Sequence, residues 1–521
     1  MLRHGRRGVV EEGPPVNPAA VLTPVTGLEY WARLEPDRFA VVEDDREFSF
    51  GELAELVRKT AGFLASAGVV PGDVVAMSLR NSLEALTLPL AAAYLGAQIS
   101  PISFRLRPRE LSPMLARARP RVLVYGEDAA DVLHGSEVPD ETLLLAREEL
   151  RAGVGAHGPL ASRSALVSPS EPYTLMWTSG TGGAPKAVCG SLGARMNWVL
   201  GIGQVYRVSS ADGYLAAMPM MHSAGLTFAL AHTFFGARIH LLPRFEVEEV
   251  WGMLHRGEVT AGLFVPTMLQ LMLAADPDPA RKLPALRSVI MAGSRLRPEL
   301  HARLLERFPG RLYNYYGSTE SPSMTVLLPH EQADHGDSVG RPFLGVQLTV
   351  RNSRPVEGYV EPLGEIFAHN PFAMDGYLSP AGEGSPDERG WLRTGDLGWL
   401  DDDGYLHVVG RQSEVIISGG MNVSLPEVES VVGAHPSVMD VTVLGLADPV
   451  WGEAAAAVVV LASEVDQGDA LADLDAYCRS ELADYKRPRH WRLVDEIPRT
   501  ASGKPHLPDL RMLFSSRDLE G

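Results

Sequence analysis

The sequence predicts an α/β protein: a large N-terminal domain of layered α/β sheets that takes in a small antiparallel β-barrel or sheet, followed by a smaller α+β C-terminal domain. Three observations carry this. Amphipathic helical stretches alternate with short β-rich runs through the long front part, which is the pattern of parallel sheets covered by helices. After about Ser338 the texture turns to short β-like pieces separated by Gly, Pro and Asp, and it changes again after Gly410-Arg411. A chain of 521 residues is too long for one ordinary core, and its length suggests about three domains or subdomains.

In chain order, "MLRHGRRGVVEEGPP" carries positive charge without the apolar stretch of a secretory signal, so residues 1–26 read as a flexible arm. "FSFGELAELVRKTAGFLASAG" places Ser49 and Glu52 at capping-box spacing, keeps apolar residues at helical intervals and ends on Gly68, which predicts an amphipathic helix. "PGDVVAMSL" reads as a strand. Leu83 to Leu95 is the most apolar helix-like run; it carries Glu84 and Pro89, is too short to span a bilayer and is expected to be a buried helix. "RVLVYG" and "RSVIMAG" are further strands. "VGRPFLGVQLTVRN", "GEIFAHN" and "GYLHVVG" are the pieces of the small barrel or sheet. Beyond Arg411 come a helix with Pro426 in its first turn, strands at "DVTVLGL" and "AAAAVVVL", and a helix near Leu471 to Leu482. This last unit has about 110 residues, a normal domain size. The expected division is therefore 1–26, 27–410 and 411–521.

Composition narrows the function. Hydrophobic residues at 45% and charged residues at 21% are ordinary for a globular protein. A formal net charge of −18 argues against nucleic acid, which calls for a basic footprint. The two cysteines, Cys189 and Cys478, are too few and too far apart for a disulfide framework or zinc site; they suggest a reducing cytoplasm and buried thiols. No HExxH and no paired Cys/His spacing points to a transition metal.

"TSGTGGAPK", residues 178 to 186, is the stretch with the clearest chemistry. Gly180, Gly182 and Gly183 can adopt backbone angles closed to other residues, so successive N–H groups can converge on an anion. Thr178, Ser179 and Thr181 add hydroxyls and Lys186 a point charge. The pattern suits phosphate, although it is not the common P-loop, because Lys186 follows Pro185 rather than glycine.

Together with "NYYGSTE" (314 to 320), "GWLRTGD" (390 to 396), "GRQSEVIISGGMNVSLPEVE" (410 to 429), "DPVWGE" (448 to 453) and "PRTASGK" (498 to 504), this stretch resembles the adenylate-forming superfamily of acyl-CoA synthetases, adenylation domains and luciferases. The motifs occur in that family's order over nearly the whole chain from about residue 27, and they are most similar to the acyl-CoA ligase branch. The resemblance implies a two-step reaction, in which a carboxylate attacks the α-phosphorus of ATP to give acyl-AMP and a thiol then displaces AMP. It also implies a C-terminal domain that turns between the steps.

The resemblance assigns roles to residues as well. Attack of one anion on another needs positive charge and N–H donors at the phosphorus. The 178–186 loop matches the β- and γ-phosphate cradle, and Lys504 the lysine that bridges acyl carboxylate and α-phosphate. Glu320, with Thr181, matches the magnesium site, and Thr319 the α-phosphate contact. Tyr316 is expected against adenine, within a nucleotide site that takes in Gly293, Ser294, Asn314, Tyr315, Gly317 and Ser318. Asp396 matches the carboxylate on the ribose hydroxyls and Arg411 its partner. His222 in "PMMHSAGL" matches a gate at the mouth of the acyl pocket. Ser418, Gly419 and Gly420 match the loop facing the pantetheine channel of coenzyme A, while Tyr485, Arg487 and Arg489 are expected to stack on its adenine and neutralise its phosphates.

The chain departs from the family pattern at Gly182, where threonine is usual, and at Ala187, Ser413, Glu414 and Met421. One lost hydroxyl at 182 removes a phosphate donor, which leaves open a protein that mainly transfers a supplied acyl-AMP to coenzyme A. A carrier-protein loader would use the same adenylation residues. The presumed pocket segments "MPMMHSAGL", "FVPTML" and "MAGSRL" are apolar, which suits a hydrophobic carboxylic acid.

Overall fold

The computed structural model describes residues 21–160, 168–178, 185–355, 361–378, 386–411, 414–418, 421–462, 467–499 and 505–514. Among these, two large sheets form the front of the molecule. One is nine-stranded, with the parallel strands Leu312–Tyr316, Ser288–Met291, Ala261–Phe264, Gly213–Ala216, Arg238–Leu241 and Phe39–Glu43 in spatial order. The other is seven-stranded, with the parallel strands Pro172–Thr178, Gln98–Pro101, Val74–Ser78, Val122–Tyr125 and Leu143–Ala146 and two antiparallel strands, Lys186–Ser191 and Gly376–Tyr377, on one edge.

The helices between the sheets follow from their sequences. At the start of Phe50–Ser66 the Ser49 hydroxyl accepts from Glu52 N–H at 3.2 Å, and the Glu52 carboxylate accepts from Ser49 N–H at 2.8 Å, so the capping box is formed as read. Leu83–Leu95 is buried at every residue, Glu84 included, and stops at Gly96 with φ +73°. A helix apolar on all sides needs neighbours on all sides, and it packs among Pro24–Leu34, Phe50–Ser66 and Ser223–Phe234 in the main core. No helix of the described residues is long and apolar enough to cross a membrane.

The small β unit is a four-stranded antiparallel sheet in the order Gln347–Arg354, Leu363–His369, Trp391–Leu400, Leu406–Arg411; its outer strands are not paired to each other among the described residues, so of the two forms the texture allows the open sheet is built. The C-terminal unit sets a sheet centred on Val438–Asp448 and Gly452–Leu461 beneath the helices Leu425–Gly433 and Gln467–Glu481, with its own core of Ile416, Val428, Val432, Leu474 and Cys478. Cys478 is buried as expected. Cys189 is only half-buried, because its strand lies near the sheet edge, beneath the two-residue strand Gly376–Tyr377.

Two core histidines make the fold acid-sensitive. His232 is 1% exposed, stacked on Tyr214 at 3.9 Å between ring centroids, with Nδ1 2.7 Å from the Phe228 carbonyl; burial pulls its pKa down to about 4. His240, also buried, is lowered to about 4 by burial and then by Arg238. Both are neutral in either state above the unfolded value of about 6.5, so their effect is nil there. Below it only the unfolded chain takes up the protons, and stability falls until the folded values are reached. At pH 5 the loss is roughly 2 kcal/mol per histidine. Urea titrations at pH 7.5 and pH 5 are expected to show a smaller pH penalty in His232→Gln/His240→Gln than in the parent chain; equal penalties would assign the acid sensitivity elsewhere.

Candidate active site

The carboxyl ends of parallel strands from both large sheets meet at one place, the usual position for ligands in open α/β sheets. Strand Leu312–Tyr316 leads into a tight turn in which Ser318 N–H donates to the Ser321 carbonyl and Ser321 N–H to Ser318 Oγ, each at 3.0 Å. Gly317 permits the turn, since a Cβ there would lie 2.5 Å from Ser323 N. The turn carries Thr319 and Glu320 towards the other sheet. There the Glu320 carboxylate accepts from Thr178 Oγ1 at 3.3 Å and from the Tyr377 hydroxyl at 3.0 Å. The Glu320 carbonyl accepts from Met374 N–H at 2.8 Å, which fixes the backbone beneath the side chain. Lys186 Nζ lies 5.2 Å from the centre of the Tyr377 ring. Burial, then Glu320, pushes the Tyr377 hydroxyl well above the usual phenol range, so it stays a donor to the carboxylate.

A second cluster stands on the small sheet. Asp396 and Arg411 are cross-strand partners, with Arg411 Nε 3.4 Å from Asp396 Oδ1. The other carboxylate oxygen accepts from the Tyr316 hydroxyl. Asp396 N–H donates to Thr394 Oγ1 at 3.0 Å, and Arg411 N–H to Glu414 Oε2 at 3.0 Å. Burial, and then Asp396, holds Tyr316 far above the usual phenol range. An 8% exposed carboxylate fixed by a phenol and a guanidinium is a preorganised acceptor for paired hydroxyls.

Of the residues named from sequence, Thr178, Lys186, Tyr316, Gly317, Ser318, Glu320, Asp396 and Arg411 thus lie in two linked clusters, joined through the Tyr316–Glu320 turn. Gly293 has φ +97° and Ser294 beside it is exposed; both follow strand Ser288–Met291, next to Asn314 on the neighbouring strand. His222 is partly exposed immediately before helix Ser223–Phe234. Ser418 is buried in strand Val415–Ser418.

Two of the named residues have buried side chains. The Tyr315 ring is core, 6% exposed and stacked on Phe228 at 5.9 Å, because strand alternation turns it away from the face that Tyr316 presents. Arg487 is 8% exposed and bridged to Asp475 at 3.3 Å and to Asp484. Arg489 is bonded to Asp484 at 2.8 Å and lies over the Trp451 ring, while Tyr485 is packed against the C-terminal core. Ser179, Gly180, Thr181, Gly182, Gly183, Ser413, Gly419, Gly420 and Lys504 lie outside the described residues. Tyr377 and Thr394 were missed: Tyr377 is brought to Glu320 by a strand pairing that no local motif announces, whereas Thr394 stands two residues before Asp396 within the quoted GWLRTGD stretch.

Among the described residues no group of three or more His, Cys, Asp or Glu could hold a metal ion. That fits magnesium bound beside a nucleotide, which needs one or two carboxylates and takes its other oxygens from phosphate and water. Glu320 offers one such carboxylate, oriented by two hydroxyl donors.

Comparison with known proteins agrees with this geometry. The family model described as AMP-binding enzyme matches residues 28–378, and the AMP-binding enzyme C-terminal domain matches residues 427–504. The chain is 33% identical to a 2-succinylbenzoate–CoA ligase of Geobacillus kaustophilus, over 94% of this chain and 97% of the relative. It is 32% identical to an indoleacetate–CoA ligase of Aromatoleum aromaticum, over 94% and 98%. The o-succinylbenzoate CoA synthetase of Bacillus subtilis, solved with its acyl-adenylate intermediate, superposes with a TM-score of 0.82 at 29% identity over 93% of this chain and 97% of that one. The same enzyme solved with ATP and a magnesium ion gives 0.81 at 29% identity, over 93% and 99%.

Proposed function

Because this chain belongs to the AMP-binding enzyme family, we propose that it is an ATP-dependent acid–CoA ligase, which activates a hydrophobic carboxylic acid as acyl-AMP and passes the acyl group to coenzyme A. The observation that carries the reading is the Tyr316–Asp396–Arg411 cluster, a ribose acceptor standing beside the Glu320 cluster that suits the phosphates. In the first step a carboxylate oxygen attacks the α-phosphorus and the bond to pyrophosphate breaks. In the second the thiol sulfur attacks the acyl carbonyl and AMP leaves.

The residues divide the work by chemistry. Asp396 orients the sugar, and Thr178 and Lys186 meet the distal phosphates. Magnesium, when bound, neutralises phosphate charge, and Glu320 would hold it. Lys504 would steady the charge that gathers at the α-phosphate. The acid is proposed to lie among "MPMMHSAGL", "FVPTML" and "MAGSRL", where Met218, Met220, Met221, Phe264 and Met291 are buried and no carboxylate occurs. The boundary between a larger part, 27–410, and a turning part, 411–521, is placed at Gly410-Arg411, next to the residue that holds Asp396.

A panel of aromatic, alicyclic and fatty acids tests the reading, with AMP and thioester measured in the presence of free coenzyme A or of an acyl carrier protein. Acid-dependent AMP release with thioester on free coenzyme A is expected. Thioester formation only on the carrier would reassign the acceptor. Tyr377→Phe tests the metal assignment: losing a hydrogen bond to a charged group costs about 1.5–3 kcal/mol, so the magnesium needed for half-maximal pyrophosphate exchange should rise about tenfold. An unchanged magnesium dependence would remove Glu320 from the metal site.

A further inference from the structure

Behind the proposed active site lies a cationic side chain with no acidic partner. Arg195, on the helix Leu192–Val205, is 7% exposed. Its guanidinium is surrounded by neutral groups: Nη1 donates to Ser223 Oγ at 3.1 Å and to Thr227 Oγ1, Nη2 donates to Thr174 Oγ1 at 2.8 Å, and Trp198 lies 5.2 Å from Cζ. Nε is buried without a hydrogen-bond partner. No Asp or Glu among the described residues pairs with it; the one ionisable neighbour that acts on it is Tyr173, and burial lowers its pKa to about 10, so it is still charged at neutral pH.

Arg195 lines a cavity together with Thr174, Cys189, Gly190, Thr319 and Met374. The centre of a water-sized sphere can move over about 10 Å³ of it, room for one small particle. Gly190 helps keep the space, since a Cβ there would stand 2.7 Å from Thr174 Oγ1 and 3.8 Å from Arg195 Nη2.

We propose that this cavity is a binding site for one small monovalent anion of halide size, held by Arg195. A buried cation is costly unless it is both paired and hydrogen-bonded. The three hydroxyls supply acceptors for Nη1 and Nη2 but no negative charge. A halide supplies charge and acceptor together. A sulfate, a phosphate or a carboxylate on a longer molecule does not fit; the cavity borders the proposed active site, since Thr319 lines it and Arg195 bonds Ser223 of the proposed acyl segment.

The test uses the full chain, with its apparent Tm measured against sodium chloride or bromide at constant ionic strength made up with gluconate. A saturable rise of about 3 °C or more is expected, as for any ligand that binds only the folded state. Arg195→Met should abolish the response, and Arg195→Lys should retain part of it. In a bromide-soaked crystal of the unaltered protein, an anomalous peak is expected in this cavity beside the Arg195 guanidinium. This readout needs no variant, so it decides the matter even if Arg195→Met does not fold. A Tm that ignores the choice of anion, or a cavity holding water with no bromide, overturns the proposal.

Discussion

Lys504→Ala is expected to cut adenylation about a hundredfold or more, the scale on which a single preorganised electrostatic group acts at a transition state. Its position in "PRTASGK", between a Ser-Gly pair and Pro505, suits a side chain delivered by a movable segment rather than one fixed in the core. Thioester formation from synthetic acyl-AMP should be largely spared, since no phosphorus is attacked in that step. Pyrophosphate exchange and acyl-AMP-dependent thioester formation, measured separately, read the two steps. Equal loss in both would mean that the lysine shapes the whole site, and the account of a C-terminal part that turns between steps would fail with it.

Asp396→Ala should weaken ATP and a non-hydrolysable acyl-AMP mimic by the same factor, because both carry the same ribose. Two lost hydrogen bonds to a charged acceptor are worth roughly 3 kcal/mol, about a hundredfold in affinity. The variant also releases Tyr316 and Arg411 from their common partner, so Asp396→Asn, which keeps one acceptor oxygen, should fall between the alanine variant and the parent. Isothermal titration gives both affinities. An unchanged affinity for the mimic would remove Asp396 from the sugar site.

Local grammar made much of this molecule legible before its shape was known. The Ser49–Glu52 capping box and the helix Leu83–Leu95 depend on neighbours three or four residues apart, and such spacings survive in any fold. The motifs named Asp396 and Arg411, but their pairing across adjacent strands is a property of the sheet. Tyr377 could not be read as a partner of Glu320, 57 residues away, because an antiparallel edge strand brings it there. Tyr315 and Tyr316 look alike in sequence, and only the facing of the strand separates core from site. Arg487 carries a charge free for phosphate in the sequence, and the fold sets Asp475 and Asp484 beside it. No local motif marks Arg195; the packing of Ser223–Phe234 over it makes it a buried cation.

The order of strands in the nine-stranded sheet also bears on how the protein is made. The N-terminal hairpin, Phe39–Glu43 with Arg46–Ser49, joins that sheet only through Arg238–Leu241, and the wholly apolar helix Leu83–Leu95 needs Ser223–Phe234 to cover it. On the ribosome those partners emerge about 140 residues after the helix, roughly seven to thirty seconds later at roughly 5–20 residues per second. Throughout that interval the side of the helix that Ser223–Phe234 covers stays exposed on the nascent chain, although Pro24–Leu34 and Phe50–Ser66 are already made. Production of this protein is therefore expected to depend on chaperone capacity and elongation rate more than its finished stability would suggest, and fragments ending before residue 223 should be recovered bound to holdases or as aggregate.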